Sequence, residues 1–329
     1  MNNKELSSII KNVNSWYSKR IKVLSIKSRP YNSIEILFST IYRVLNEGDK
    51  VLYVWCSRDK SIIRNKENKL INGVLEYAQK DRILDNIKFV TIDEVKFESE
   101  EYDLVIFDDI SFFSKESIES VRSSVEDIYW KSRKILIYSC EYIFPIGGKL
   151  EIPYLNSKKP MVEPRIISTR IKLDEDIPLA LFDYYNWFKE NKKKILIMVP
   201  NEKKLNKVYE KYHEILSSEN TRVIKHNKGE DFKNLFSVIS NTKESVFIIT
   251  NNINEYITKL ENISVVLLFA DDIFYNYKKI LNICAAINST NGELNEVLLV
   301  SKESSDDIDK ARNIIRGFNK RLWEKNLKK

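Results

Sequence analysis

Two adjacent carboxylates are the clearest chemical signal in the chain. In YDLVIFDDISFF (residues 102–113) an apolar run leads directly into Asp108 and Asp109. On a nucleotide-hydrolysing α/β fold, such a pair ends a buried strand. One carboxylate holds Mg²⁺ and the other orients the attacking water. Paired acids at a strand end also cap helices and form turns. The other half of a hydrolytic site is a GxxxxGK loop followed by Ser or Thr, after the first strand. Its backbone N–H groups wrap the phosphates, its Lys neutralises them and its hydroxyl holds the metal. The corresponding junction here, SIKSRPYNSIEILF (25–38), contains no glycine, and Gly48 is the first in the chain. Pro30 also removes a donor. Lys27 and Arg29 would attract an anion but precede the turn, and Gly147-Gly148-Lys149 lies in a Pro-rich stretch that reads as a turn. No phosphate cradle is expected.

Other chemistries find less support. No Ser-His-Asp or Cys-His grouping occurs; His213 lies on an expected helix and His226 at an expected strand end. Cys56, Cys140 and Cys284 are far apart with no CxxC, which excludes a disulfide framework and leaves too few ligands for zinc. The thiols read as buried and reduced, in a cytoplasmic protein. No apolar run approaches the roughly 18 residues of a membrane span, and MNNKELSSIIKNVNSWYSKR lacks the apolar core of a signal peptide. No membrane insertion is expected.

The elements around the acid pair follow from periodicity. The chain is 329 residues, 43% hydrophobic and 31% charged, enough for two domains and too apolar for disorder. Short β-branched runs at 22–26, 51–55, 88–92, 104–107 and 135–138 alternate with helical patterns at 34–46, 61–79 and 115–129. Five of the seven prolines then fall between 145 and 178. Beyond them the alternation restarts, with strands at 195–199, 222–225, 246–249, 265–269 and 296–300 and helices near 202–217, 230–240, 276–287 and 304–325. Strands joined by crossover helices make a mostly parallel sheet covered on both faces. The expected architecture is α/β, with domains at 1–150 and 179–329 and a Pro-rich interdomain segment at 151–178.

Positive charge gathers at the ends. Residues 1–30 hold seven Lys/Arg against Glu5, and 309–329 hold eight against Asp309 and Glu324, so the middle is acidic although the chain as a whole carries +7. Basic termini around an acidic body suit a polyanion contact; solvated helix faces would look the same. Lys19 and Arg20 follow Trp16 and Tyr17, a pairing of aromatic rings and cations suited to stacking single-stranded nucleic acid, although such a pair equally fills a core. In the last helix Ile308, Ala311, Ile315, Phe318 and Leu322 form a core-facing stripe. Arg312, Arg316 and Lys320 lie on a neighbouring face, either tracking phosphates or keeping the helix soluble.

The order of these motifs resembles ComFA, the helicase-like DNA-translocation motor of bacterial competence, within helicase superfamily 2. The likeness covers roughly 20–325. SIEILFSTIYRVLNEGDKVLYVWCSRD (33–59) stands where the family has its phosphate-loop helix and next strand, with Arg58 and Asp59 in a Pro-Arg-x-Asp-like segment. YDLVIFDDISFF matches the Asp-Glu box, Asp109 replacing the Glu, and KILIYSCEYIFP (134–145) matches the Ser-Ala-Thr box, with Ser139 surviving. KPMVEPR (159–165) resembles the interdomain segment, and KKILIMVPNEKKL (193–205) opens the second domain as in the family. The departures gather at the ATP cleft. The family's Gly-Lys-Thr falls on Asn32, Ser33 and Ile34. Its Thr-Thr-x-x-x-Glu-Arg-Gly becomes TNNINEYIT (250–258), keeping Glu255 with Tyr256 in place of Arg. Its Gly-Arg-x-Gly-Arg becomes AAINS (285–289), so the arginine-finger positions hold Ala286 and Ser289. The family's cysteine-rich zinc segment is absent.

The resemblance implies two tandem RecA-like domains, degenerate in the nucleotide-binding half, with ATP and Mg²⁺ as cofactors only if the divergent site still works. It implies DNA binding, single-stranded favoured, in uptake or processing without efficient hydrolysis. Lys19, Arg20, Arg58, Arg312, Arg316 and Lys320 are the candidate contacts. A scaffold that partners an active helicase or competence component is the alternative reading. A divergent active translocase using Asp108 and Asp109 is the third.

Overall fold

A computed structural model describes residues 3–56, 60–76, 81–110, 114, 116–153, 159–227, 230, 235, 239, 242–252, 263–287 and 295–327. Cα proximity divides the chain into one unit of Met1–Lys158 with Lys320–Lys329, and a second of Lys159–Asn319. Each contains a six-stranded sheet.

The first unit opens with helix α1 (Asn3–Tyr17), then β1 (Val23–Ser28), α2 (Glu35–Asn46), β2 (Val51–Trp55), α3 (Lys60–Leu75), β3 (Ile87–Thr91), β4 (Tyr102–Asp108), α4 (Ile118–Ile128), β5 (Ser132–Ser139) and β6 (Gly148–Ile152). The strands lie in the order β3-β2-β4-β5-β1-β6 and every pairing is parallel. Because helices cover such a sheet, its strands are apolar on both faces; all five residues of β2 are buried. The apolar face of α2, with Ile36, Leu37, Phe38, Ile41 and Val44, packs into the same core. At Gly73 of α3, a Cβ would lie 2.1 Å from the Phe38 ring, so glycine is what lets the two helices close.

The second unit runs β7 (Arg165–Ser168), α5 (Leu179–Glu190), β8 (Lys194–Met198), α6 (Glu202–Leu216), β9 (Thr221–His226), β10 (Ser245–Thr250), β11 (Ile263–Leu268), α7 (Tyr277–Ala286), β12 (Val297–Ser301) and the start of α8 (Asp306–Leu327), whose residues from Lys320 onward are counted with the first unit. Its order is β7-β12-β11-β8-β10-β9, again all parallel. The stripe Ile308, Ala311, Ile315, Phe318 and Leu322 is buried, as the spacing predicts.

The Pro-rich stretch does more than link. β6 straddles the expected boundary at 150 and pairs with β1, and β7, inside 151–178, pairs with β12. Prolines flank these edge strands instead of interrupting them. Gly147 adopts φ +107 just before β6, and a Cβ there would meet the Val23 carbonyl oxygen at 2.9 Å. Helices α1 and α5 are additions to the sequence reading. Most of the helix expected at 230–240 lies outside the described residues. Trp16 and Tyr17 are 4% and 2% exposed in the core. They cannot serve as a stacking platform, because the amphipathic α1 turns that face inward.

Candidate functional site

Parallel pairing brings the carboxyl ends of β2, β4, β5 and β1 to one edge, with Trp55 opposite Asp108, Asp108 opposite Tyr138 and Lys27 opposite Ser139. In doubly wound sheets this is the edge that binds ligands.

Asp108 is fully buried. Its Oδ2 accepts a 2.7 Å hydrogen bond from the Tyr53 hydroxyl, and its Oδ1 accepts one of 3.1 Å from the Ile110 N–H. Asp109 is 4% exposed, and its Oδ2 accepts from Ser139 Oγ at 2.9 Å. The structure thus joins the two residues assigned to the acidic box and the Ser-Ala-Thr box. Burial, reinforced by the Asp108 charge, pushes the Tyr53 hydroxyl well above the usual phenol range. Burial also raises Tyr138, partly offset by its bond to Ser28. Both phenols therefore remain protonated.

The loop at the phosphate-cradle position is sewn to the sheet. Asn32 Nδ2 donates to Ser28 Oγ at 2.8 Å and to the Ile152 carbonyl at 3.3 Å; Ser28 Oγ in turn lies 3.3 Å from the Tyr138 hydroxyl. Ser33 Oγ accepts from the Glu35 N–H at 3.2 Å, and Ile34 is buried against α2. Glu35 puts a carboxylate in the first turn of α2, where it opposes an anion. Arg29 is 5% exposed, and burial lowers its guanidinium to about 10. Lys27 pairs with Glu151 at 3.0 Å. These residues do not fit a Mg²⁺-nucleotide: the cradle has no glycine, the Asn32 amide at its first position faces Ser28 and a carbonyl, and Ser33 stands in place of its lysine. Among the described residues, no group of three or more His, Cys, Asp or Glu is arranged to hold a metal.

The remaining candidates are dispersed. Ala286 is the buried last residue of α7, while Ser289, Arg58, Asp59, Glu255 and Tyr256 lie outside the described residues. Arg312 and Arg316 both turn to Glu163, at 3.8 Å and 2.5 Å, so the basic face of α8 is partly neutralised. Lys320, Lys19 and Arg20 are exposed, the last two at the opposite edge of the first sheet from the acid pair. His226 is buried, with Nδ1 3.3 Å from Thr250 Oγ1, and burial lowers its pKa. The three cysteines are buried and form no disulfide. No described helix is long and apolar enough to cross a membrane. Tyr53, Ser28 and Tyr138 were missed as site residues; a polar group inside an otherwise apolar strand was their available signal.

Two parallel six-stranded sheets surrounded by helices, each closing on a polar carboxyl edge, define an α/β fold of the helicase RecA-like type. Two solved structures from Escherichia coli carry that likeness. The DEAH/RHA helicase HrpB superposes over 94% of this chain and 43% of its own, with a TM-score of 0.51 and 10% identity. The DExH-box NTPase HrpB superposes over 94% and 42%, with a TM-score of 0.55 and 12% identity. The chain spans less than half the length of either, and at such identity the likeness is one of fold. No family model and no curated protein matches the chain.

Proposed function

We propose that this is a helicase-like tandem RecA-fold protein, similar to ComFA, that binds single-stranded DNA in uptake or processing without efficient ATP hydrolysis. The observation that carries this reading is Asn32. The residue standing where the family's Gly-Lys-Thr begins closes the loop onto Ser28 and the Ile152 carbonyl. A cradle held shut by its own side chain has to break those bonds before it meets a phosphate, and no lysine follows to compensate. The fold and the cationic ends support retention of a nucleic-acid surface after the loss of the nucleotide cycle. Binding without that cycle gives no directional translocation.

The test is anisotropy of a labelled single-stranded oligonucleotide at low and physiological salt, alongside phosphate release with Mg²⁺-ATP. Binding that weakens steeply with salt, through counterion release, together with no DNA-stimulated release, is the expected result. A flat titration at low salt would reject DNA binding and favour a protein-docking scaffold. Stimulated phosphate release abolished by Asp108→Ala would instead establish a divergent motor.

A further inference from the structure

The amino edge of the first sheet carries a second, unassigned surface. β1 and β5 are parallel neighbours with Val23 opposite Ile135, so the segments that enter them, 19–22 and 130–134, run side by side. The Ile135 N–H donates to the Lys22 carbonyl at 2.9 Å. The two segments contain six cations, Lys19, Arg20, Lys22, Lys131, Arg133 and Lys134, and no acid.

Several of these charges have partners that do not neutralise them. Lys22 Nζ lies 4.1 Å from the Tyr129 ring centroid and 5.8 Å from that of Trp130. Lys131 donates to the Glu98 carbonyl at 2.6 Å, and Lys134 to the carbonyls of Lys19 and Ile21. Glu98 has a cation outside the two segments, Lys88 at 2.9 Å, whereas Arg133, alone of the six, is taken up by carboxylates, Asp49 and Asp103 at 3.4 Å each. Among them stands Trp130, 88% exposed, with Ile21 also exposed at 44%. Its ring is edge-on to Tyr129, with centroids 5.3 Å apart and planes at 88°. The indole is held in place but not covered.

We propose that Trp130 is the stacking platform of a single-stranded nucleic-acid site, with Lys19, Arg20, Lys22 and Lys131 along its phosphates. The inference rests on the nucleic-acid reading above and gives it a location. Acid-free paired segments complement a polyanion, and an open aromatic face suits an unpaired base, which duplex would keep inside its stack. The aromatic partner of Lys19 and Arg20 is therefore Trp130, not Trp16.

The test is anisotropy of labelled oligo(dT) on the full chain, comparing wild type with Trp130→Ala, Trp130→Phe, Lys22→Gln and Trp187→Ala. Trp187 is exposed in the second unit and serves as the control. Trp130→Ala should weaken binding about tenfold, within the range of one lost base stack, and Trp130→Phe should recover most of it. Lys22→Gln should flatten the log K against log salt slope by about 0.7. Trp187→Ala should bind like wild type. Because Trp130 is so exposed, its variants should melt like wild type, so a binding loss is not a folding loss. Equal affinity of wild type and Trp130→Ala would overturn this site alone and leave DNA binding standing. Wild type that fails to bind at low salt would overturn both. Self-association lost in Trp130→Ala with oligo(dT) binding unchanged would also overturn it, in favour of a second copy of the chain on this face.

Discussion

At the carboxyl edge of the first sheet, Asp108, Asp109, Ser28 and Asn32 are buried and direct their hydrogen bonds to Tyr53, Ser139, Tyr138 and backbone. At the amino edge of the same strands, Lys22 and Lys131 meet rings and a carbonyl, and Trp130 is 88% exposed. Polar groups at the first edge satisfy one another, so changing them acts on folding. At the second, Trp130 faces solvent and the half-buried Lys22 and Lys131 meet only neutral groups, so changing them acts on binding.

The sharpest way to break that contrast is Asp108→Ala. It orphans the Tyr53 hydroxyl and the Ile110 N–H together, and each buried unsatisfied donor costs about 1–3 kcal/mol. We expect a stability loss of about 3 kcal/mol in urea, read as a lower midpoint at unchanged slope. An unchanged midpoint would show that the carboxylate is not structural, and the carboxyl edge would again be the place to look for catalysis. A nucleotide titration probes the same edge from outside. A ligand at about 100 times its Kd stabilises by about 2.7 kcal/mol, and we expect Mg²⁺-ATP to leave the melting temperature unmoved.

Asn32→Ala comes next. It removes one amide that bridges Ser28 and Ile152 but leaves a small space that water can reach, so the expected cost is about 1 kcal/mol. A gain of nucleotide binding in this variant would mean that Asn32 gates a latent cradle. At the amino edge, Trp130→Ala should change stability by less than about 0.5 kcal/mol, the usual range for surface positions, while affinity for oligo(dT) falls. A large stability loss there would erase the distinction between the edges.

Much of the fold is legible because strands buried on both faces announce themselves: VLYVW at 51–55 is β2 to the residue. The acid pair was legible for the same reason, standing out against Leu104–Phe107. What escaped was pairing at a distance. Nothing in the local pattern says that Tyr53 donates to Asp108, 55 positions away, or that Asn32 reaches Ile152. Helix α1 escaped because its polar and charged residues mask the period of its buried face, which Val13, Trp16 and Tyr17 supply. Strand β7 escaped because RIIS is too short to show a period and sits between prolines. Trp130 escaped because exposure is a property of the fold; its neighbour Tyr129 is half-buried by the same turn.

The gentlest test moves to the second sheet, where His226 and Thr250 end β9 and β10 at the corresponding carboxyl edge. Burial holds the His226 pKa below its ordinary 6.5, against the opposing pull of Glu230. As pH falls through about 6.5, the unfolded chain takes up a proton that the folded chain resists, so stability declines with acid and is restored above that value. The slope ends once the pH has passed below the folded pKa. Glu230 is itself held below its usual range by Asn227, so its own loss falls in a more acidic window. Melts of wild type and His226→Gln at about pH 7 and about pH 5.5, on either side of the ordinary histidine value, separate the two. Wild type should lose more stability than the variant between them. Parallel losses would mean that the imidazole reaches water and that the second sheet's carboxyl edge is open where the first is closed.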